Sequence, residues 1–286
     1  MAQVPWEEAC ARVRDDDGLP CREVGAWSED KLFVWHSYIQ TTSTSMVGKP
    51  QWAAGLFYVD LFGGPGVCQV KNSTRRLPGS PLIAAMAAKP FKHIFVVDSD
   101  QRNAVACEQR LAKVGAKDRA TVFTGDSNKI VNEIARRIPK GALTLALVDP
   151  EGLDVDFETL RTLSSAGRVD LLILFADAYD ALRNLDAFVS GDDKRLDRML
   201  GARSDWRKRL GELPNWEPNN LREFFSRQYI ETLKNELGYA AADTKIIRGP
   251  HGPLYRLVYA SKHPRGLDFW QKVDARDRHG QKGLFS

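Results

Sequence analysis

The stretch GLFYVDLFGGPG, residues 55–66, decides the fold. An apolar run, Gly55 to Asp60, ends on a carboxylate and passes straight into a glycine-rich turn, Leu61 to Gly66. A short apolar run bounded by turn residues reads as a buried strand. The glycines after it permit positive φ and let backbone approach a ligand closely. Working outward, the same grammar recurs in HIFVVD (93–98), ATVFT (120–124), LTLALVD (143–149) and VDLLILF (169–175). Helical spacing fills the gaps: Ser80 and Pro81 open one helix, 101–114 carries Val105, Leu111 and Val114 on one side, and 127–138 and 157–163 follow. Upstream, Ser28 with Glu29 and Asp30 marks a helix start, and Leu32, Trp35, His36 and Ile39 recur at helical spacing until Thr41–Ser45 ends it.

Five strands alternating with helices predict a parallel sheet covered on both faces. The alternation stops after residue 176. Residues 180–238 are helical and mixed in charge, and two short strands, KIIR (245–248) and YRLVYA (255–260), then flank a turn from Gly249 to Pro253. The fold predicted is α/β: a Rossmann-like class I methyltransferase fold, its mostly parallel seven-stranded sheet closed by a C-terminal antiparallel hairpin and interrupted by a helical insertion. The expected organisation is a weakly structured lead-in (1–27), a cofactor-binding core (28–176), the insertion (177–240), and the closing hairpin with its tail (241–286).

In such a sheet the ligand sits at the carboxyl ends of the strands, so the residues after each strand matter most. The turn after the first strand, with Asp60, Phe62, Gly63, Gly64 and Gly66, could hold the methionine moiety of S-adenosylmethionine, Asp60 lying near its ammonium. The second strand ends in Asp98 and Ser99, where a carboxylate takes ribose hydroxyls; the alternative is a helix N-cap. Gly125 and Asp126 after the third strand could read the adenine edge, or again cap a helix. The fourth strand ends in Asp149, Pro150 and Glu151, the acceptor position. There an aspartate oxygen and a proline carbonyl can accept the two hydrogens of a conjugated exocyclic amine. An aromatic residue usually follows to stack a flipped base. Glu151 stands there instead, so either stacking comes from elsewhere, with Phe175 and Tyr179 as the candidates, or the substrate is not a base.

The strings VDLFGGPG (59–66), LPGSPLIA (77–84), VVDSD (96–100), GDSN (125–128) and LVDPEG (147–152) resemble the three-Cys-motif partner proteins. Lys31, Leu32 and the closing RLVYASKHPRGLDFW (256–270) extend the likeness over roughly residues 28–272. The resemblance implies an S-adenosylmethionine-dependent methyltransferase and a partner protein, similar to a radical adenosylmethionine enzyme, that carries the three-cysteine motif. It assigns Asp60, Gly63, Gly64 and Gly66 to the cofactor loop, Asp98 to the ribose, Asp126 to the adenine, and Asp149 with Pro150 to the acceptor. Ser80 and Lys31 match positions without a stated role, Ser80 reading as a helix cap. Glu151 departs from the aromatic residue common there. A more distant similarity to ribosomal RNA adenine methyltransferases points to RNA or DNA as substrate.

Charge permits such a partner without requiring it. The 286 residues carry 41 basic and 37 acidic side chains, net +4. Residues 192–209 and 262–282 are each net +3 by count (7 − 4 and 6 − 3), with Trp206 in the first stretch available for stacking. The plain reading of both is a solvated, salt-bridged helical face. Lys71, Arg75 and Arg76, in a polar loop beside the glycine turn, are better placed to flank the acceptor, and Arg75 and Arg76 are expected to bind substrate. Cys10, Cys21, Cys68 and Cys107 are scattered, which fits a reducing cytoplasm, and neither they nor the five histidines show metal spacing. No apolar run is long enough for a membrane span. A nicotinamide-dependent oxidoreductase would need a GxGxxG turn running directly into its helix. The remaining readings are a methyltransferase acting on an amino group and a non-catalytic partner module of the same fold.

Overall fold

The structure, a computed structural model, describes residues 2–175, 180–201, 204–249 and 252–274. In chain order the elements are α1 (Trp6–Ala11), β1 (Arg22–Val24), α2 (Ser28–Met46), β2 (Leu56–Asp60), β3 (Val67–Val70), β4 (Arg76–Pro78), α3 (Ser80–Ala85), β5 (His93–Asp98), α4 (Gln101–Lys113), β6 (Ala120–Thr124), α5 (Ser127–Arg137), β7 (Leu143–Val148), α6 (Phe157–Ser165) and β8 (Arg168–Phe175). Then come α7 (Asp180–Arg183), α8 (Leu185–Ser190), α9 (Arg195–Leu200), α10 (Trp206–Gly211), α11 (Pro218–Leu237), the strands β9 (Ala241–Gly249) and β10 (Gly252–Ser261), and α12 (Pro264–Asp274).

Seven strands form one sheet in the order β6-β5-β2-β7-β8-β10-β9. The first five run parallel, and β10 pairs antiparallel with both β8 and β9. The order reverses between β5 and β7 on either side of β2, the crevice where an open α/β sheet binds its ligand. Alternate residues of each strand serve opposite faces. Phe57, Val59, Ala146, Val148, Ile173 and their neighbours pack under α5, α6 and the insertion helices. Leu56, Tyr58, Leu145, Leu147, Leu172 and theirs pack under α1–α4 and α12. Burial on both faces explains why these strands read as continuous apolar runs.

Three expectations need correction. The lead-in is ordered: Trp6, Ala9, Cys10 and Val13 are buried, the Trp6 indole N–H donates to Glu29 Oε1 at 3.2 Å, and β1 pairs parallel with β3. Its aspartates serve ion pairs. Asp17 meets Arg110 and Arg76, and Asp16 meets Arg76. Second, the polar stretch 69–77 is a hairpin, β3–β4, that with β1 makes a separate three-stranded sheet. Third, Thr41–Ser45 does not end its helix. α2 runs to Met46, and the hydroxyls of Ser43 and Thr44 donate back to the Gln40 carbonyl.

Candidate active site

The glycine turn is stitched to the strands beside it. Leu61 N–H donates to the Leu147 carbonyl, Gly63 N–H to the Val97 carbonyl at 2.9 Å, and Gly64 N–H to Asp98 Oδ2 at 2.9 Å. Gly63 is required by packing, since a Cβ there would sit 2.2 Å from Val96 Cγ1. Gly64 is required by conformation: its φ is +61°, and a Cβ would meet only open space. Behind the turn, Gly79 N–H donates to the Gly66 carbonyl at 2.8 Å, which ties the start of α3 to it.

At the strand ends lies a cleft of about 660 Å³ lined by Arg22, Phe62, Gly64, Asp98, Ser99, Gly125, Asp126, Asp149 and Glu151, among others. A smaller space of about 80 Å³ adjoins it, sharing Arg22, Phe62, Gly64 and Asp149 and adding Lys31, Gly63, Gly66, Cys68 and Ser80. Eight expected site residues therefore meet in one cleft, with Gly63 and Gly66 in its annex.

Asp98 does not cap α4; Asp100 holds that place, accepting Arg102 N–H. The Asp98 carboxylate takes Gly64 N–H on Oδ2 and Asp100 N–H (2.8 Å) and Asn103 Nδ2 (3.3 Å) on Oδ1. Its donors are neutral, and about four lone-pair sites leave room for one more donor. Asp126 caps α5 through Asn128 N–H at 2.9 Å, the plainer of the two readings, and it also lines the cleft.

Asp60 stands elsewhere. It is fully buried beneath the turn and lines neither space. It accepts the Tyr58 hydroxyl at 3.0 Å and Phe62 N–H at 3.3 Å, and bonds Ser80. Burial pushes its carboxyl up to about 6. Ser80 is accordingly no helix cap; Gly79 holds that place and the Ser80 side chain turns to Asp60.

On the acceptor side, Asp149 Oδ2 is bridged by Lys31 Nζ at 2.5 Å, and the Tyr255 ring lies 5.8 Å from that ammonium. Pro150 is buried, and exposed Glu151 is paired with Arg22 at 2.9 Å. Arg22 and Cys21, from the supposedly loose lead-in, line the cleft. Nothing in a three-residue strand preceded by acids and a proline signalled this.

The expected substrate groups lie elsewhere. Arg75 pairs with Glu29 and Glu7, and Arg76 is buried between Asp16 and Asp17. Phe175 is fully buried and stacked on Tyr229 at 5.0 Å, so it cannot stack on a substrate. Tyr179 lies outside the described residues. Trp206 is buried, its indole N–H donating to Asp197 at 2.7 Å. Arg195, Arg198, Arg207 and Arg209 form ion pairs with Asp193, Asp156, Asp197 and Glu231. The first basic stretch is thus a salt-bridged helical face; Arg203 and residues 275–282 of the second lie outside the described residues. Cys68 borders the smaller space with its thiol pushed up by burial, the opposite of an activated nucleophile.

Among the described residues no group of three or more His, Cys, Asp or Glu side chains could hold a metal, and no helix is long and apolar enough to cross a membrane. The fold is a Rossmann-like α/β sheet with its cleft where the strand order reverses. No family model and no curated protein matches the chain. Solved structures resemble it remotely. An O-methyltransferase from Bacillus cereus, in complex with SAH, is 10% identical (TM-score 0.47, 89% of this chain and 90% of that one). The O-methyltransferase TomG from Streptomyces achromogenes, in complex with SAM, is 13% identical (TM-score 0.44, 92% of each chain). A protein from Legionella pneumophila is 12% identical (TM-score 0.49, 85% and 88%).

Proposed function

We propose that this protein is an S-adenosylmethionine-dependent methyltransferase whose acceptor, an amino group, is presented at Asp149 and Pro150. The observation that carries the reading is the bond between Gly64 N–H and Asp98 Oδ2 at the point where strand order reverses. It fixes a ribose-binding carboxylate against an open turn. The charge of the cleft supports it. Six carboxylates (Asp98, Asp100, Asp126, Asp149, Glu151, Asp154) line it against one arginine, Arg22. That suits a ligand with a cationic sulfonium and ammonium and opposes the pyrophosphate of a nicotinamide dinucleotide.

The cofactor, when bound, supplies a methyl group on a sulfonium that a nucleophile can displace. Everything else falls to the chain. With the cofactor bound, Gly64 would leave room for the methionine end, Asp98 would accept a ribose hydroxyl on its remaining lone pair, and the Asp126–Ser127 segment would line the adenine end. Lys31 holds Asp149 by Oδ2, leaving Oδ1 toward the acceptor. That oxygen and the Pro150 carbonyl accept the N–H bonds of the incoming amine, aim its lone pair at the methyl carbon, and provide a route for the proton it loses. RNA or DNA is the substrate class that the resemblances favour.

One observation favours a second reading, a non-catalytic partner module of a three-cysteine-motif protein: Asp149 and Glu151 are both engaged in ion pairs. Calorimetric titration with S-adenosylmethionine and S-adenosylhomocysteine, with NADH as control, followed by a radiolabelled methyl-transfer screen over RNA, DNA and lysate, separates the two. Binding with transfer supports the enzyme; absence of transfer, with the cofactor bound or not, supports the module, and absence of binding overturns the enzyme reading.

A further inference from the structure

The string SKHPRG, residues 261–266, takes no part in the cleft. It joins β10 to α12 at the opposite end of the sheet, where β7 and β8 begin. There it borders a cavity of about 900 Å³, larger than the cleft, whose walls include Met46, Trp52, Lys140, Leu143, Arg168, Asp170, Lys262, His263 and Arg265. Such a volume suits a ligand of nucleotide size.

The sign of this cavity is the reverse of the other. Lys140, Arg168, Lys262 and Arg265 line it against one carboxylate, Asp170. That carboxylate is already used from within, bonded by Tyr38, Tyr259 and Ser261. None of the four cations forms an ion pair with a described residue, whereas the arginines of the insertion helices are neutralised by neighbouring acids. Lys262 is instead steadied by carbonyls, donating to Ser164 O at 2.6 Å. Burial and the neighbouring Arg168 hold its ammonium below its ordinary range, the mark of positive charge gathered without counter-charge. A second group also lacks its partner. The indole N–H of Trp52 is shielded from solvent and meets no acceptor, a cost in a folded protein unless something supplies one.

We propose that this cavity is a second ligand site, taking a nucleotide unit with its phosphate among Arg168, Lys262 and Arg265 and its planar base against Trp52. A phosphate offers the acceptors that the cations lack. An indole face stacks on any base. The unit could be a free nucleotide or one residue of a single-stranded RNA; both present the same phosphate and base. The inference stands apart from the methyl-transfer reading, because no residue is shared between the two sites.

The test is isothermal calorimetry on the full chain with three probes: uridine 5′-diphosphate, uridine, and a single-stranded oligouridylate. It is run with and without saturating S-adenosylhomocysteine. Binding of the diphosphate but not of uridine is expected, and it should survive saturation by S-adenosylhomocysteine. Arg168→Ala and Arg265→Ala, both exposed and without ion pairs, should each weaken it by roughly tenfold or more, the worth of one charge-assisted contact. Exposed Lys208→Ala should leave it unchanged. Binding of the oligouridylate alone, lost in the same two variants, also supports the site and assigns the nucleotide to an RNA strand. The proposal is overturned if no phosphate-bearing probe binds, if the two arginine variants bind as the parent does, or if S-adenosylhomocysteine displaces the probe.

Discussion

Replacing Asp17 by asparagine tests the idea that the first 25 residues are held down by buried charge. The Asp17 carboxylate accepts Arg110 Nη2 at 2.7 Å and Nε at 2.8 Å, Arg76 Nη2 at 3.1 Å, and Leu19 N–H at 3.3 Å. The side chains of Arg110 and Arg76 are only 3% and 5% exposed. Removing one member of a buried pair strands the other charge, at about 3–5 kcal/mol. Arg110 retains the carbonyls of Leu19, Pro20 and Pro65, and Arg76 retains Asp16, so the lower end applies. The expected loss is therefore about 3 kcal/mol, or a fall in Tm of about 6–12 °C at roughly 2–4 °C per kcal/mol. Urea denaturation followed by tryptophan fluorescence measures it. The sign with pH follows from Arg110 holding the carboxyl well below its usual range. The stabilisation is complete above about pH 4 and is lost only as pH falls through the lower folded value, so the deficit of the variant should be flat from about pH 5 to 8. A cycle with Arg110→Met should show the double variant losing less than the sum of the singles. A loss below about 1 kcal/mol, the worth of an exposed pair, would refute the reasoning.

Other outcomes are expected. Asp98→Ala should weaken S-adenosylmethionine binding by roughly thirtyfold, about 2 kcal/mol, in calorimetry; affinity equal to the parent would remove Asp98 from the ribose role. Asp149→Ala should abolish methyl transfer to any acceptor found while leaving cofactor affinity nearly unchanged, and persistent transfer would place the acceptor elsewhere. Asp60, with a folded-state value raised to about 6, opposes the neutral-pH fold. Stability should fall by a few kcal/mol as pH rises from about 4 through 6, and Asp60→Asn should flatten that slope in pH-dependent denaturation. Charge reversal at Arg207 should destabilise the protein in thermal melts without changing any RNA affinity, since its guanidinium binds Asp197 and the Phe188 carbonyl.

The central strands β2, β5, β7 and β8 were legible because both of their faces are buried, so each announces itself as an apolar run without help from distant partners. Position in a regular topology brings Asp98, Asp126 and Asp149 to the cleft, whereas Asp60 turns beneath the turn onto Tyr58, a contact its place at a strand end does not announce. What escaped the reading depended on contacts remote in sequence. The triplet Asp15–Asp17 looks like a solvated loop until Arg110, 93 residues on, is folded against it. Arg75 and Arg76 resemble a phosphate-binding pair until Glu29 and the two aspartates arrive. Phe175 ends its strand where a stacking residue would stand, but Tyr229 of α11 already occupies its face. The threonines and serines closing α2 satisfy a carbonyl of their own helix, a local choice that composition alone does not decide.

Arg110 has one further consequence. Its Nη1 donates both to the Pro20 carbonyl, two residues before Arg22, and to the Pro65 carbonyl inside the glycine turn. The wall of the cleft and its floor thus share a single buried cation. A ligand that engages both must favour the docked state of the N-terminal segment over its detached state, in proportion to its concentration relative to its dissociation constant. The rate at which a protease cleaves near Leu19 becomes a gauge of cleft occupancy, slowing as cofactor is added, even where no methyl acceptor is known.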